Sequence, residues 1–308
     1  MILGAILIIL LVIAYIQQGP WRQWRENKNK VDNFLAGLNM DEVDRIEITS
    51  SNQTTALIKE SDERWKVDGA KDFYVNETVI SDLINALKQA AESEIEIVST
   101  NKEKKSNFQT DLENGIRVVL KDGEEAAADF VVGKNANDYR RVYVSRPNDG
   151  STYVLKTSLR NAVSRKDWRD RTIFSVDKEK INKIRFQYPT REFTIEKKDG
   201  KWEGILPYKF KVDEDKIKEV LDIMSNLSAV KIPEQKFEGT GLEKHLIIVE
   251  ATGDGIDNVL MVGEGSREDK DESGMPLYYY AKRGDKDNIY LITRGQKEEL
   301  EKRIRDLK

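Results

Sequence analysis

His245 is the only histidine in the chain, and there is no cysteine. An imidazole titrates near neutral pH and suits proton transfer, so His245 is the first residue to test as a general base. It heads an apolar stretch, His245-Leu-Ile-Ile-Val249, that reads as a strand. No serine in a Gly-x-Ser-x-Gly elbow stands ready to use it, and a structural place is expected for it. One histidine cannot form His-Glu-x-x-His, and the missing cysteines remove thiol catalysis, disulfides and thiolate-bound zinc together.

Other chemistry-bearing patterns are equally thin. Ser-x-x-Lys occurs at Ser99/Lys102, Ser175/Lys178 and Ser228/Lys231, a frequency that chance supplies in a chain this rich in lysine. The acidic run Glu268-Asp269-Lys270-Asp271-Glu272 lacks the ligand spacing and glycine of a calcium loop and is expected at a solvated hairpin tip. Gly253-Asp-Gly255 and Gly263-Glu-Gly265 read as hairpin glycines rather than phosphate loops. Arg283-Gly284-Asp285 matches an adhesion tripeptide, which a tight turn explains. Tyr278-Tyr279-Tyr280 is richer. On a strand Tyr278 and Tyr280 share one face, and an exposed pair would stack on sugars or anchor a partner; Tyr280 matches Tyr143 in a repeat described below, which favours a core role. No catalytic, cofactor-binding or metal-ligating residue is assigned, and no cofactor is expected.

Composition narrows the rest. The 308 residues carry 51 Lys+Arg against 55 Asp+Glu, a net charge of −4 without the basic excess of a nucleic-acid binder. Charged residues at 34% and hydrophobic ones at 39% describe a well-solvated chain with a core.

Two features place whatever the chain does. Ile2 to Ile16 is uncharged and free of proline. It spans about 22 Å as a helix, and extension to Trp21 approaches the roughly 30 Å of a bilayer core. A basic start and a small-residue cleavage site are both missing, so a membrane anchor over residues 1–20, with residues 2–18 in the bilayer, is expected rather than a signal peptide. A polar stalk, 21–42, follows. Arg22, Arg25, Lys28 and Lys30 come after the anchor, which taken alone keeps the bulk of the chain in the cytoplasm; Glu26 and Asp32 dilute that signal.

The second feature is a repeat. Trp65 matches Trp202, Phe73 matches Phe210, Val75 matches Val212, Ile80 matches Ile217 and Leu87 matches Met224, all 137 residues apart, and the offset returns at Tyr143/Tyr280 and Tyr153/Tyr290. Two copies of one α+β module are expected, 43–172 and 173–308. Each has two alternating strands, a Trp-bearing strand, an amphipathic helix capped by Asn76 or Asp213, four further strands and a terminal helix, Ser158–Ser164 or Gln296–Leu307. The fold class is thus α+β: a transmembrane helix, then two tandem antiparallel-sheet-plus-helices modules. Lys166 to Phe174 joins the copies, and its alternating charges around Trp168 read as a salt-bridged connector.

The connector Asp167-Trp168-Arg169-Asp170-Arg171-Thr172-Ile173-Phe174, then Ile181-Asn-Lys-Ile184, Gly200-Lys201-Trp202-Glu203, Pro207, Val212-Asp213 and the Ile217–Leu227 helix, resembles the bacterial family of domain of unknown function 4340 over about 43–306. The resemblance implies one N-terminal anchor in the inner (cytoplasmic) membrane, with the following domains extracytoplasmic. It also implies an association with an ABC-2-type transporter permease or its gliding-motility-type auxiliary protein, and it brings no catalytic residue. The expected function is that of a non-enzymatic envelope accessory acting by protein–protein contact. A glycan- or lipid-binding module and, third, a carboxylate/metal hydrolase are the alternatives.

Overall fold

The computed structural model describes residues 30–137 and 140–308. The expected anchor and the start of the expected stalk lie outside the described residues. Among the described residues, no helix is long and apolar enough to cross a membrane. The described residues form two compact units, the first up to Ala70 with Tyr74–Trp168, the second Lys71–Phe73 with Arg169–Lys308. Their division falls after Trp168 rather than at 172/173, because the Trp168 indole is buried in the first unit's core. Residues 30–42 are no free stalk: Leu35 and Met40 belong to that same core.

Unit 1 contains β1 (Lys30–Val31), β2 (Arg45–Ser50), β3 (Gln53–Lys59), β4 (Trp65–Val67), α1 (Glu77–Glu92), β5 (Ile95–Ser99), α2 (Lys105–Phe108), β6 (Ile116–Asp122), β7 (Glu125–Asn135), β8 (Val142–Ser145), β9 (Thr152–Leu155) and α3 (Leu159–Val163). The strands form one antiparallel sheet in the order β1-β5-β9-β8-β7-β6-β2-β3-β4. Alternate residues of β2 and β6 are buried, as a sheet with one solvated face requires. The buried side meets Ile80, Leu83, Leu87 and Ala90 of α1, spaced to line one helix face. The other side carries ion pairs, Arg45–Glu47–Lys121 and Arg117–Asp129.

Both ends of α1 are closed by side chains. Asn76 Oδ1 accepts from Thr78 N at 3.0 Å. At the far end, Asn33 Nδ2 donates to the carbonyls of Ala90, Ala91 and Ser93, and Asn33 Oδ1 accepts from Leu35 N. One amide thus satisfies carbonyls that the last turn leaves open.

Unit 2 contains β10 (Thr172–Ser175), β11 (Ile181–Tyr188), β12 (Arg191–Lys198), β13 (Lys201–Leu206), β14 (Phe210–Lys211), α4 (Glu214–Ser225), β15 (Asn226–Ser228), β16 (Ile247–Gly253), β17 (Ile256–Gly265), β18 (Tyr278–Arg283), β19 (Tyr290–Thr293) and α5 (Arg294–Leu300). Eight strands run β14-β13-β12-β11-β16-β17-β18-β19, and β10 pairs with β15. A bridge between Lys231 and Leu291 connects the segment after β15 to β19. With it, the order β10-β15-β19-β18-β17-β16-β11-β12-β13 corresponds strand for strand to unit 1. The Lys66/Tyr74 bridge and the Glu203/Lys211 pair are likewise 137 residues apart. Asp213 caps α4 by accepting from Asp215 N. The terminal helix stops at Leu300 instead of running to Leu307, with a separate 3-10 turn at Ile304–Asp306. The Leu300 carbonyl is bonded by the buried Tyr188 hydroxyl at 2.7 Å.

Candidate functional site

His245 does not head a strand. It is exposed, with φ +50, and ends a 3-10 turn begun by Gly241 at φ +66, so the strand starts at Ile247. The acidic run is not a simple hairpin tip either. Asp271 Oδ1 accepts from Ser273 N, Ser273 Oγ and Met275 N, folding residues 269–277 into a tight loop. Among the described residues, no group of three or more His, Asp or Glu side chains could hold a metal ion.

The paired glycines separate. Gly255, at φ +69, turns the β16–β17 hairpin, and a side chain on Gly253 would meet the Lys180 carbonyl. Gly263 and Gly265, by contrast, lie inside β17 at a bulge, packed against the Thr240 carbonyl and the Pro276 ring. Arg283 and Asp285 of the tripeptide grip each other through two hydrogen bonds, so the pair is engaged within its own turn. In the connector, Arg169 and Arg171 donate to the Ile232 and Val230 carbonyls, and Asp170 accepts from Thr172 N.

Tyr278, Tyr279 and Tyr280 are all half-buried, and so is Tyr143, so Tyr280 is not the core residue its repeat partner implied. The Lys231 ammonium lies 5.2 Å from the Tyr278 ring centre and the Lys297 ammonium 5.3 Å from that of Tyr279. Two of the three rings thus lie beside a lysine ammonium.

What does stand out is the loop just before Tyr278. Met275 and Leu277 are 58% and 39% exposed. Arg294, the first residue of α5, holds the loop from behind: its guanidinium donates to Asp271 Oδ2 at 2.8 Å and to the carbonyls of Met275 and Pro276. The Asp271 carboxyl is held well below the usual carboxylate range by the Ser273 hydroxyl and by Arg294. Two apolar side chains are therefore shown to solvent on a loop with little freedom left to lose, the condition under which binding spends least on ordering. Methionine is also enriched at protein interfaces.

A second exposed apolar segment closes β13. Leu206 and Tyr208 are 53% and 52% exposed, and Lys308 stacks on both Tyr208 and Phe210. Beneath it, the Phe210 ring covers Gly204, where a Cβ would lie 2.0 Å from Phe210 Cε1. Beside it, Trp202, Phe210 and Lys308 line an open depression of ≈ 1160 Å³. Neither exposed segment follows from periodicity. Leu-Pro-Tyr after a strand and Met-Pro-Leu after an acidic run are the signals they leave.

Comparison with known proteins adds one relationship. No curated protein and no solved structure matches the chain. One family does, the domain of unknown function DUF4340, over residues 65–245, a narrower span than 43–306. That span is more than half of the chain and carries the Trp-bearing strands, both amphipathic helices and the connector that suggested it: the chain belongs to the DUF4340 family.

Proposed function

We propose that the chain is a non-enzymatic accessory protein of the cell envelope, built by duplication of one α+β unit and acting by protein–protein contact. Residues 2–18 anchor it in the cytoplasmic membrane, and both units lie on the extracytoplasmic side. Its partner is an ABC-2-type transporter permease or the auxiliary protein that goes with it. The uncharged run Ile2 to Ile16 and membership of the family support the placement. The observation that carries an interaction role is the Met275–Leu277 loop, apolar, exposed and fixed in shape by Arg294 and Asp271.

Two measurements test this reading in the native host. An alkaline-phosphatase fusion after Lys308 is expected to be active; an inactive fusion with a bright cytoplasmic reporter defeats the placement. A photo-crosslinking residue at Met275 is expected to capture the permease or its auxiliary protein, whereas one at Asp254, exposed in the β16–β17 hairpin, captures neither. If both positions behave alike, the loop is not the docking element.

A further inference from the structure

We propose that Met275 is a redox-modification site: a hydroperoxide converts it to the sulfoxide, and the modified loop of unit 2 lets go of its partner. The inference rests on the docking role given to that loop above. The chain has no cysteine and five methionines. Without a thiol, thioether sulfur is the group that a two-electron oxidant attacks most readily. Met40 and Met224 are buried, and Met261 is half-buried in β17. Met275 is the most exposed large apolar side chain among the described residues.

The loop that carries it is an addition the fold does not require. In unit 1, Asn135 and Val142 pair across the β7–β8 bulge, with residues 136–141 between them. In unit 2 the matching pair is Gly265 and Tyr279, with residues 266–278 between them, seven more. The clamp is confined to unit 2 as well: Asp271 lies in the added stretch, and the residue 137 positions before Arg294 is Thr157. The backbone at Met275 is pinned on both sides. Its N–H donates to Asp271 Oδ1 at 2.9 Å, and its carbonyl accepts from Asp271 N at 2.9 Å and Arg294 Nη2 at 3.0 Å. Oxidation therefore changes the surface and leaves the frame of the loop in place. In the step, a lone pair on Met275 Sδ attacks the outer oxygen of the hydroperoxide. An S–O bond forms, the O–O bond breaks, and the leaving oxygen departs with a proton as water or an alcohol. Sulfur loses two electrons and the peroxide gains them. The product shows a polar S=O where an apolar thioether met the partner, and burying that group without a donor opposes docking. A thiol-dependent sulfoxide reductase reverses the change.

The full chain in detergent micelles is treated with graded hydrogen peroxide, and each methionine is followed by peptide mass spectrometry. Met275 is expected to react about tenfold faster than Met261, with Met40 and Met224 unmodified until urea unfolds the chain. Comparable rates at Met275 and Met261 overturn the inference. In native membranes, a photo-crosslinking residue at Leu277 reads docking before and after peroxide. Capture of the partner is expected to fall roughly tenfold and to return on treatment with a methionine sulfoxide reductase. For Met275→Leu, capture with and without peroxide should be equal. Full conversion of Met275 with no loss of capture, or an equal loss in Met275→Leu, overturns the inference. No capture at Leu277 before any peroxide defeats the docking role instead; the oxidation rates alone then decide, selective reaction at Met275 supporting the redox site and comparable rates overturning it.

Discussion

Replacing Gly204 with alanine sets two effects of opposite sign against each other. Gly204 is inside β13 with ordinary strand geometry, so alanine brings no backbone strain and should help the strand by about 0.5–1 kcal/mol. Against that, its Cβ would lie 2.0 Å, 2.1 Å and 2.5 Å from three carbons of the Phe210 ring. The ring is only 8% exposed and must leave its place. Displacing it forfeits about 1.5–3 kcal/mol of burial, so the clash wins and the net loss is about 1–2 kcal/mol. With a urea dependence of about 2 kcal/mol per molar, the midpoint of unit 2 falls by roughly 0.5–1 M. Urea unfolding followed by hydrogen exchange and mass spectrometry resolves the two units, and unit 1 should not move. A double-mutant cycle with Phe210→Ala isolates the cause: once the ring is gone, alanine at 204 should be neutral or slightly stabilising. A Gly204→Ala chain as stable as the original, or costs that simply add in the cycle, would refute the reasoning. In unit 1 the matching position is Val67, and Phe73, the counterpart of Phe210, lies in unit 2 edge-on to Tyr290, 5.8 Å between ring centres.

Three further outcomes are expected. Asn33→Ala removes the amide that serves the carbonyls of Ala90, Ala91 and Ser93 and should lower the stability of unit 1 by about 2 kcal/mol in urea unfolding; a change under about 0.5 kcal/mol would show that water replaces it. Arg294→Ala should raise hydrogen exchange across 271–277 and leave exchange in β16 and β17 unchanged; uniform exchange would mean the loop does not depend on that guanidinium. Because the Asp271 carboxyl is held low, its contribution to the loop is present above the ordinary value near pH 4 and is lost only as pH falls below it. Burial pushes the Tyr290 phenol up to about 12. The neutral phenol therefore stabilises unit 2 fully below about pH 10, and up to about 3 kcal/mol disappears as pH rises from 10 towards 12. Tyr290→Phe should flatten that alkaline decline, and an unchanged decline would assign it to other groups.

Much of the fold was legible because it is written in periodicity. Strict alternation in Ile46–Ile48 and Ile184–Phe186 and helical spacing in Ile80–Leu87 place β2, β11 and α1 in register with the structure. Both predicted caps, Asn76 and Asp213, accept the bonds expected of them. Among the strands that escaped are β1, β10 and β15, of two, four and three residues and too short to show a period, and β5, whose five residues Ile95–Ser99 do not alternate cleanly between buried and exposed. They are held by partners distant in sequence, and no local pattern reports that. His245 misled because it closes the turn at 241–245, itself in the left-handed region, immediately before the apolar run Leu246–Val249. The exposed loop was harder still, since Arg294 and Asp271 are 23 residues apart and only the folded chain brings them together. Residues 30–42 read as stalk because they follow a polar, charged stretch and show no strand or helix period, yet Leu35 and Met40 are buried and Phe34 and Leu38 pack beside them.

The ends of the sheets have a consequence for life at high local concentration. Among the described residues, unit 1 ends in two- and three-residue strands, Lys30–Val31 and Trp65–Val67, and the large sheet of unit 2 ends at Phe210–Lys211. At its other side, β19 is occupied at Leu291 by Lys231. A sheet grows by recruiting a new strand along a long, straight row of open amides and carbonyls, and truncated borders offer too few of them to template another chain. Two wide antiparallel sheets can thus share one polypeptide, and many polypeptides one crowded compartment, without a ready route to fibrous self-assembly.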